Sequence, residues 1–136
     1  MKLLDNFNIL LIALAGIGFL VFGAWILATP LEALARFGIV LAPESVHRIE
    51  IRAFYGGLEI GLGLLLLKFA FDRSYRRAGL WLVFASYGAL AGGRIVGIVA
   101  EAGPTPQMAW IALAVELFFG VLGAVALFAG RGRPEA

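Results

Sequence analysis

The chain has 136 residues, 62% hydrophobic and 15% charged, with a formal net charge of +2 and no cysteine. A soluble domain is about 45–50% apolar and about 25% charged, and a small fold hides only about two-thirds of its surface. A soluble globular domain and a disordered chain are therefore excluded, as are a disulfide framework, a thiolate metal site and a cysteine nucleophile; a mean hydropathy of +0.95 leaves an integral membrane protein.

Residues 7–29 carry no charge. This run is longer than the ~7–15-residue apolar core of a signal peptide and reads as a first transmembrane helix. In the connection that follows, Leu31, Leu34 and Phe37 recur at helical spacing with Glu32 and Arg36 between them. That pattern predicts a short interfacial helix lying on the membrane. Pro43-Glu44-Ser45 reads as a helix start, with Pro early and an acid in the first turn. The second span, 51–71, is interrupted by Arg52, Glu59 and Lys68. Residues 72–77 form a tight basic turn. The third span, 78–100, contains only Arg94 as a charge, and the fourth, 108–130, only Glu116. Gly103, Pro104 and Pro106 break the chain between them.

Each run is long enough to cross ~30 Å of hydrocarbon as a helix of about 20 residues. Transmembrane strands would need ~10-residue alternating segments instead. The expected fold is all-α: one domain over 1–136, an antiparallel four-helix transmembrane bundle with a short interfacial helix between the first two spans. With four spans, Lys2, Lys68, Arg73, Arg76, Arg77, Arg131 and Arg133 fall on one side, against Arg36, Arg48 and Arg52 on the other. The excess predicts both termini in the cytoplasm. Those basic residues trace membrane edges and form no continuous face for nucleic acid.

Charge at membrane depth is costly, faces the bundle interior and pairs. At ~1.5 Å per residue, Glu59 lies ~12 Å, Arg94 ~9 Å and Glu116 ~12 Å from the outer boundary. At 100° per residue, Arg48, Arg52, Gly56, Glu59 and Gly63 share a stripe with Tyr55 at its edge. Tyr87, Arg94 and Glu101 share a face of the third helix, and Glu116 lies in a strip of Ala109, Ala112, Gly120 and Gly123 on the fourth. Small residues let membrane helices approach closely, and Gly57/Gly61, Gly88/Gly92 and Gly93/Gly97 add three such pairs. The expectation is a buried polar cluster of Arg52, Glu59, Arg94 and Glu116, with Tyr55 and Tyr87 as hydrogen-bond partners.

The remaining signals are weaker. His47, the single histidine, reads as a hydrated interfacial residue, and Trp25, Trp81 and Trp110 as interfacial anchors. Gly16-x-Gly18 reads as packing. No phosphate loop, dinucleotide fingerprint or Ser/His/Asp arrangement is present, so no catalytic residue, metal site or cofactor is expected.

The run Glu50-Ile51-Arg52-Ala53-Phe54-Tyr55-Gly56-Gly57-Leu58-Glu59-Ile60-Gly61-Leu62-Gly63 is distinctive. With Gly92-Gly93-Arg94-Ile95-Val96-Gly97 and Glu116-Leu117, it resembles the small four-span bacterial membrane proteins grouped as domain of unknown function 4345. DoxX-like proteins are similar in architecture only. The resemblance implies a bacterial inner-membrane four-helix protein and brings no activity with it. Three functions stay open. The first is a non-catalytic membrane subunit or homo-oligomer organised by the Glu/Arg cluster, with the bilayer, its own copies or a larger complex as partners. The second is a small-molecule or proton carrier, or a polar-ligand-binding protein, using Glu59, Arg94 and Glu116. The third is an intramembrane enzyme with a Glu as general acid/base.

Overall fold

The structure, a computed structural model, describes residues 2–42, 45–101 and 103–129. Among these the chain forms helices and no strand. They are α1 (Lys2–Ala28), α2 (Pro30–Arg36), α3 (Ser45–Ile51), α4 (Leu58–Phe71), α5 (Arg76–Glu101) and α6 (Gln107–Ala129). A π turn, Arg52–Gly57, joins α3 to α4, and a 3₁₀ turn, Arg73–Tyr75, precedes α5. Four stretches are long and apolar enough to cross a membrane: Leu3–Ala28, Val46–Phe71, Arg73–Glu101 and Gln107–Ala129. The helix start expected at residues 43 and 44 lies outside the described residues; the described helix begins at Ser45.

Two antiparallel hairpins make up the bundle, α1 with α4 and α5 with α6. The first packs backbone against backbone. A side chain at Gly63 would come within 2.7 Å of the Gly16 carbonyl and of Leu20, and one at Gly23 within 2.8 Å of the Gly56 carbonyl. Gly16 and Gly23, and likewise Gly56 and Gly63, are seven residues apart, so each pair keeps one face of its helix free of side chains. The sequence pairs Gly57/Gly61, Gly88/Gly92 and Gly93/Gly97 are not used this way. A side chain at Gly61, Gly88, Gly92, Gly93 or Gly97 would meet nothing within 4 Å. Spacing identifies small faces, but packing decides which of them is covered.

Between the hairpins the main core gathers Leu11, Ile12, Ala15, Phe19, Leu66, Ala70, Leu80, Val83, Tyr87 and Leu127. A second cluster, Ile26, Ala33, Leu34 and Ile51, docks α2 across the far end of the first hairpin. Outside these cores the helices present Leu14, Val21, Leu58, Val96, Phe118, Val121 and other large apolar side chains to their surroundings. A bilayer solvates such a surface, whereas water would not.

The connection after α1 has its own architecture. Pro30 occupies the first helical position of α2, where its missing N–H costs nothing. At the other end, the Ile39 and Gly38 amides donate to the Leu34 and Ala35 carbonyls, and Gly38 takes φ 79°. This is a Schellman close, and the positive φ is the reason for glycine. Glu32 and Arg36 are exposed, while Leu34 is buried and Leu31 and Phe37 are half-buried, as expected for a short interfacial helix. Gly38 also reaches the second hairpin: a side chain there would meet Pro106 at 2.7 Å. At the opposite end, Arg76 Nη1 pairs with Asp5 at 2.9 Å. Asp5, Asn8, Arg73, Arg76 and Arg77 line a hollow of about 280 Å³ there.

Candidate functional site

Toward the α2 end the hairpins part. They leave an open cavity of about 610 Å³. Its walls come from α1 (Gly18, Phe19, Phe22, Trp25), from the segment around the π turn (Tyr55, Glu59), from α5 (Tyr87, Gly93, Arg94) and from α6 (Ala112, Glu116). Leu34, Phe37 and Ile39 cover it from α2 and the loop after it. The lining is mostly apolar and aromatic with a few polar groups, and the volume falls within the ~300–1,000 Å³ of small-molecule sites.

Arg94 and Glu116 form a two-pronged ion pair on one wall. Arg94 Nε donates to Glu116 Oε2 at 2.9 Å and Nη2 to Oε1 at 2.6 Å. The planar guanidinium matches the carboxylate fork, which gives the strongest form of this contact. Glu116 is buried on α6 together with Ala109, Leu113, Gly120 and Gly123, and Gly120 and Gly123 let the α5 backbone approach at Gly88 and Phe84. The guanidinium carbon also lies 5.9 Å from the centre of the Phe37 ring, a cation–π distance. The pair is thus held between α5, α6 and the end of α2, and is formally neutral.

Glu59 is different. It is half-buried and lines the same cavity. Among the described residues, its carboxylate has no hydrogen-bond or ion-pair partner. Tyr87, on the floor, donates its hydroxyl to the Ala15 carbonyl at 3.0 Å and so ties α5 to α1. Its ring lies 4.8 Å from those of both Phe19 and Phe119. Tyr87 therefore partners backbone and aromatic rings, while the carboxylates look elsewhere. Tyr55, half exposed, stands at the rim.

Arg52, expected in the cluster, is not among the lining residues. Its Nε donates to the Leu27 carbonyl at 2.9 Å. That carbonyl belongs to the last turn of α1, where acceptors lack intrahelical donors and the dipole favours a cation. The π turn accounts for the separation. The Leu58 amide bonds to the Ala53 carbonyl, five residues back. Such a turn takes up one extra residue, worth about 100° of rotation. On an unbroken helix Arg52 and Glu59 would face the same way; here Arg52 faces the end of α1 and Glu59 the cavity.

Sequence reasoning missed the aromatic lining. Phe19, Phe22 and Trp25 recur every third residue of a charge-free helix, which was the available signal. Trp25, read as an anchor, lines the cavity with Phe22 edge-on at 6.0 Å, and Phe37 serves as both cover and arginine partner. His47 is exposed, its Nδ1 3.1 Å from the Ala42 carbonyl. Among the described residues no group of three His, Cys, Asp or Glu is placed to hold a metal ion.

The family model described as Domain of unknown function (DUF4345) matches residues 8–127. No curated protein and no solved structure matches the chain. The match spans nearly all of the sequence, so the chain belongs to the DUF4345 family.

Proposed function

We propose that this DUF4345 protein is a multi-pass membrane protein that binds a small amphipathic molecule between its two helix hairpins and acts as its carrier or receptor. One observation supports this reading above the others: Glu59, a carboxylate with no protein partner among the described residues, lines an open cavity of about 610 Å³ between the hairpins. A cluster that only fixed helix register would bury its charges dry and paired, as Arg94 and Glu116 are. An intramembrane ionisable group left facing a cavity marks a ligand or proton path by default. The enzyme reading lacks a second polar group within hydrogen-bond reach of Glu59 among the described residues.

The subunit reading draws support from one feature, the neighbouring Gly93 and Gly97 on α5, where an added side chain would meet nothing within 4 Å among the described residues. The excess of Lys and Arg beside the termini and the Arg73–Arg77 turn supports cytoplasmic termini in a bacterial inner membrane, with the chain as one domain. The cavity then opens in the outer half of the bilayer.

Native mass spectrometry of the chain released from membranes tests the proposal. A small-molecule adduct on the wild type that is lost in Glu59→Gln supports it. A bare protein in both samples contradicts it, and a defined oligomer without adduct favours the subunit reading.

A further inference from the structure

Resting on that binding reading, we infer that the cavity selects a lipophilic organic cation, a protonated amine or quaternary onium group carried on an aromatic or aliphatic body. Glu59 is the counter-charge, and the rings of Trp25 and Tyr55 flank the bound body.

Charge on the lining decides the sign. Its carboxyl and guanidinium groups are Glu59, Arg94 and Glu116. Arg94 and Glu116 cancel through two hydrogen bonds, so Glu59 is the acidic group on the lining left to face a ligand. An anionic ligand would need Arg94, and Arg94 is committed: two of its nitrogens hold the carboxylate, and Phe37 lies 5.9 Å from the guanidinium carbon. Taking Arg94 away would strand Glu116, which is only 6% exposed, and an unpaired buried charge is the costliest outcome available there. A cation disturbs nothing. It meets a lining carboxylate that has no partner among the described residues.

The remaining lining sets the chemical class. Phe19, Phe22, Trp25, Phe37, Tyr55 and Tyr87 all contribute to the walls. The faces of aromatic rings carry negative potential and attract onium groups, most strongly when water is excluded. A bare metal ion fits poorly, because Mg²⁺ or Ca²⁺ requires six or more oxygen ligands or retained waters, and among the described residues this cavity offers one carboxylate not already paired, set among rings. The volume of about 610 Å³ takes a body much larger than ammonium itself.

The test uses three probes of similar shape on the full chain in nanodiscs, with binding followed by equilibrium dialysis. They are the tetraphenylphosphonium cation, the tetraphenylborate anion and neutral triphenylphosphine oxide. The expected result is saturable binding of the cation, about tenfold or more weaker in Glu59→Gln and largely kept in Glu59→Asp, which retains the charge. The anion and the neutral probe should show no saturable binding beyond empty nanodiscs. Size-exclusion behaviour and helical circular dichroism of Glu59→Gln matching wild type establish that the fold survives. Equal cation binding by wild type and Glu59→Gln overturns the inference, as does preference for the anion. Saturable binding of the neutral probe alone overturns the cation class and leaves the binding reading standing. Failure of all three probes, together with no small molecule bound in native mass spectrometry, overturns both.

Discussion

The Arg94–Glu116 pair provides the sharpest energetic test. Arg94→Met removes the guanidinium and leaves a carboxylate 6% exposed on α6. Breaking a buried pair from one side costs about 3–5 kcal/mol, and the value for this variant falls in that range because Glu116 has no other cation on the cavity wall. Glu116→Met is expected to cost less, about 2 kcal/mol. The Arg94 side chain is 26% exposed, and once released it can turn within the cavity toward Glu59. Changing both residues to Met removes charge from both sides and replaces an ion pair with apolar groups of similar volume, which is often neutral or stabilising. The double variant should therefore lie within about 1 kcal/mol of wild type. Hydrogen bonds between membrane helices average about 0.6 kcal/mol in double-mutant cycles, so a coupling of several kcal/mol separates a buried charge pair from an ordinary contact. Unfolding in mixed micelles by titration with dodecyl sulfate measures all four proteins. A double variant that loses the sum of the two single changes refutes the reasoning.

Other consequences follow from particular contacts. Gly63→Ala drives a methyl toward the Gly16 carbonyl and should cost about 1–3 kcal/mol in the same assay. Gly61→Ala, with nothing within 4 Å, should be neutral or stabilise by up to about 1 kcal/mol, as helix propensity dictates. Arg52→Gln should lower stability by about 1 kcal/mol through loss of the Leu27 contact while leaving ligand binding unchanged, which dialysis reads directly. Gly38→Ala combines a left-handed φ with a collision at Pro106. It should cost about 1–3 kcal/mol and raise amide exchange across α2 relative to the rest of the chain.

The bundle was legible because membrane helices are written in hydropathy. Four apolar runs of sufficient length leave little choice of fold, and Leu31, Leu34 and Phe37 marked the short helix by period alone. Counting a rise per residue from each span end put Glu59, Arg94 and Glu116 at similar levels, and the three line one cavity. Phase was harder. Arg52 was assigned to the cluster by counting 100° per residue through a segment that contains a π turn, and Arg-Ala-Phe-Tyr-Gly-Gly carries no rule that announces one. The glycines show the same limit. Gly57/Gly61 and Gly16/Gly23 look alike as small residues on a helix face, and only the neighbouring backbone at Gly56 and Gly63 tells them apart. That Glu59 has no partner among the described residues could not be read at all. It follows from Arg94 choosing Glu116, a matter of where two helices part.

Glu59 faces an open cavity between the hairpins, and single-cysteine accessibility measures that directly. The chain contains no cysteine, so Glu59→Cys and Leu58→Cys each introduce a unique thiol at the same depth. Leu58 is 57% exposed on the apolar outer surface and is absent from the cavity lining. In intact membranes, a small water-soluble methanethiosulfonate should modify the thiol at position 59 rapidly and leave the one at position 58 unreacted, because thiolates form only where water reaches. Equal protection of the two positions would contradict the account.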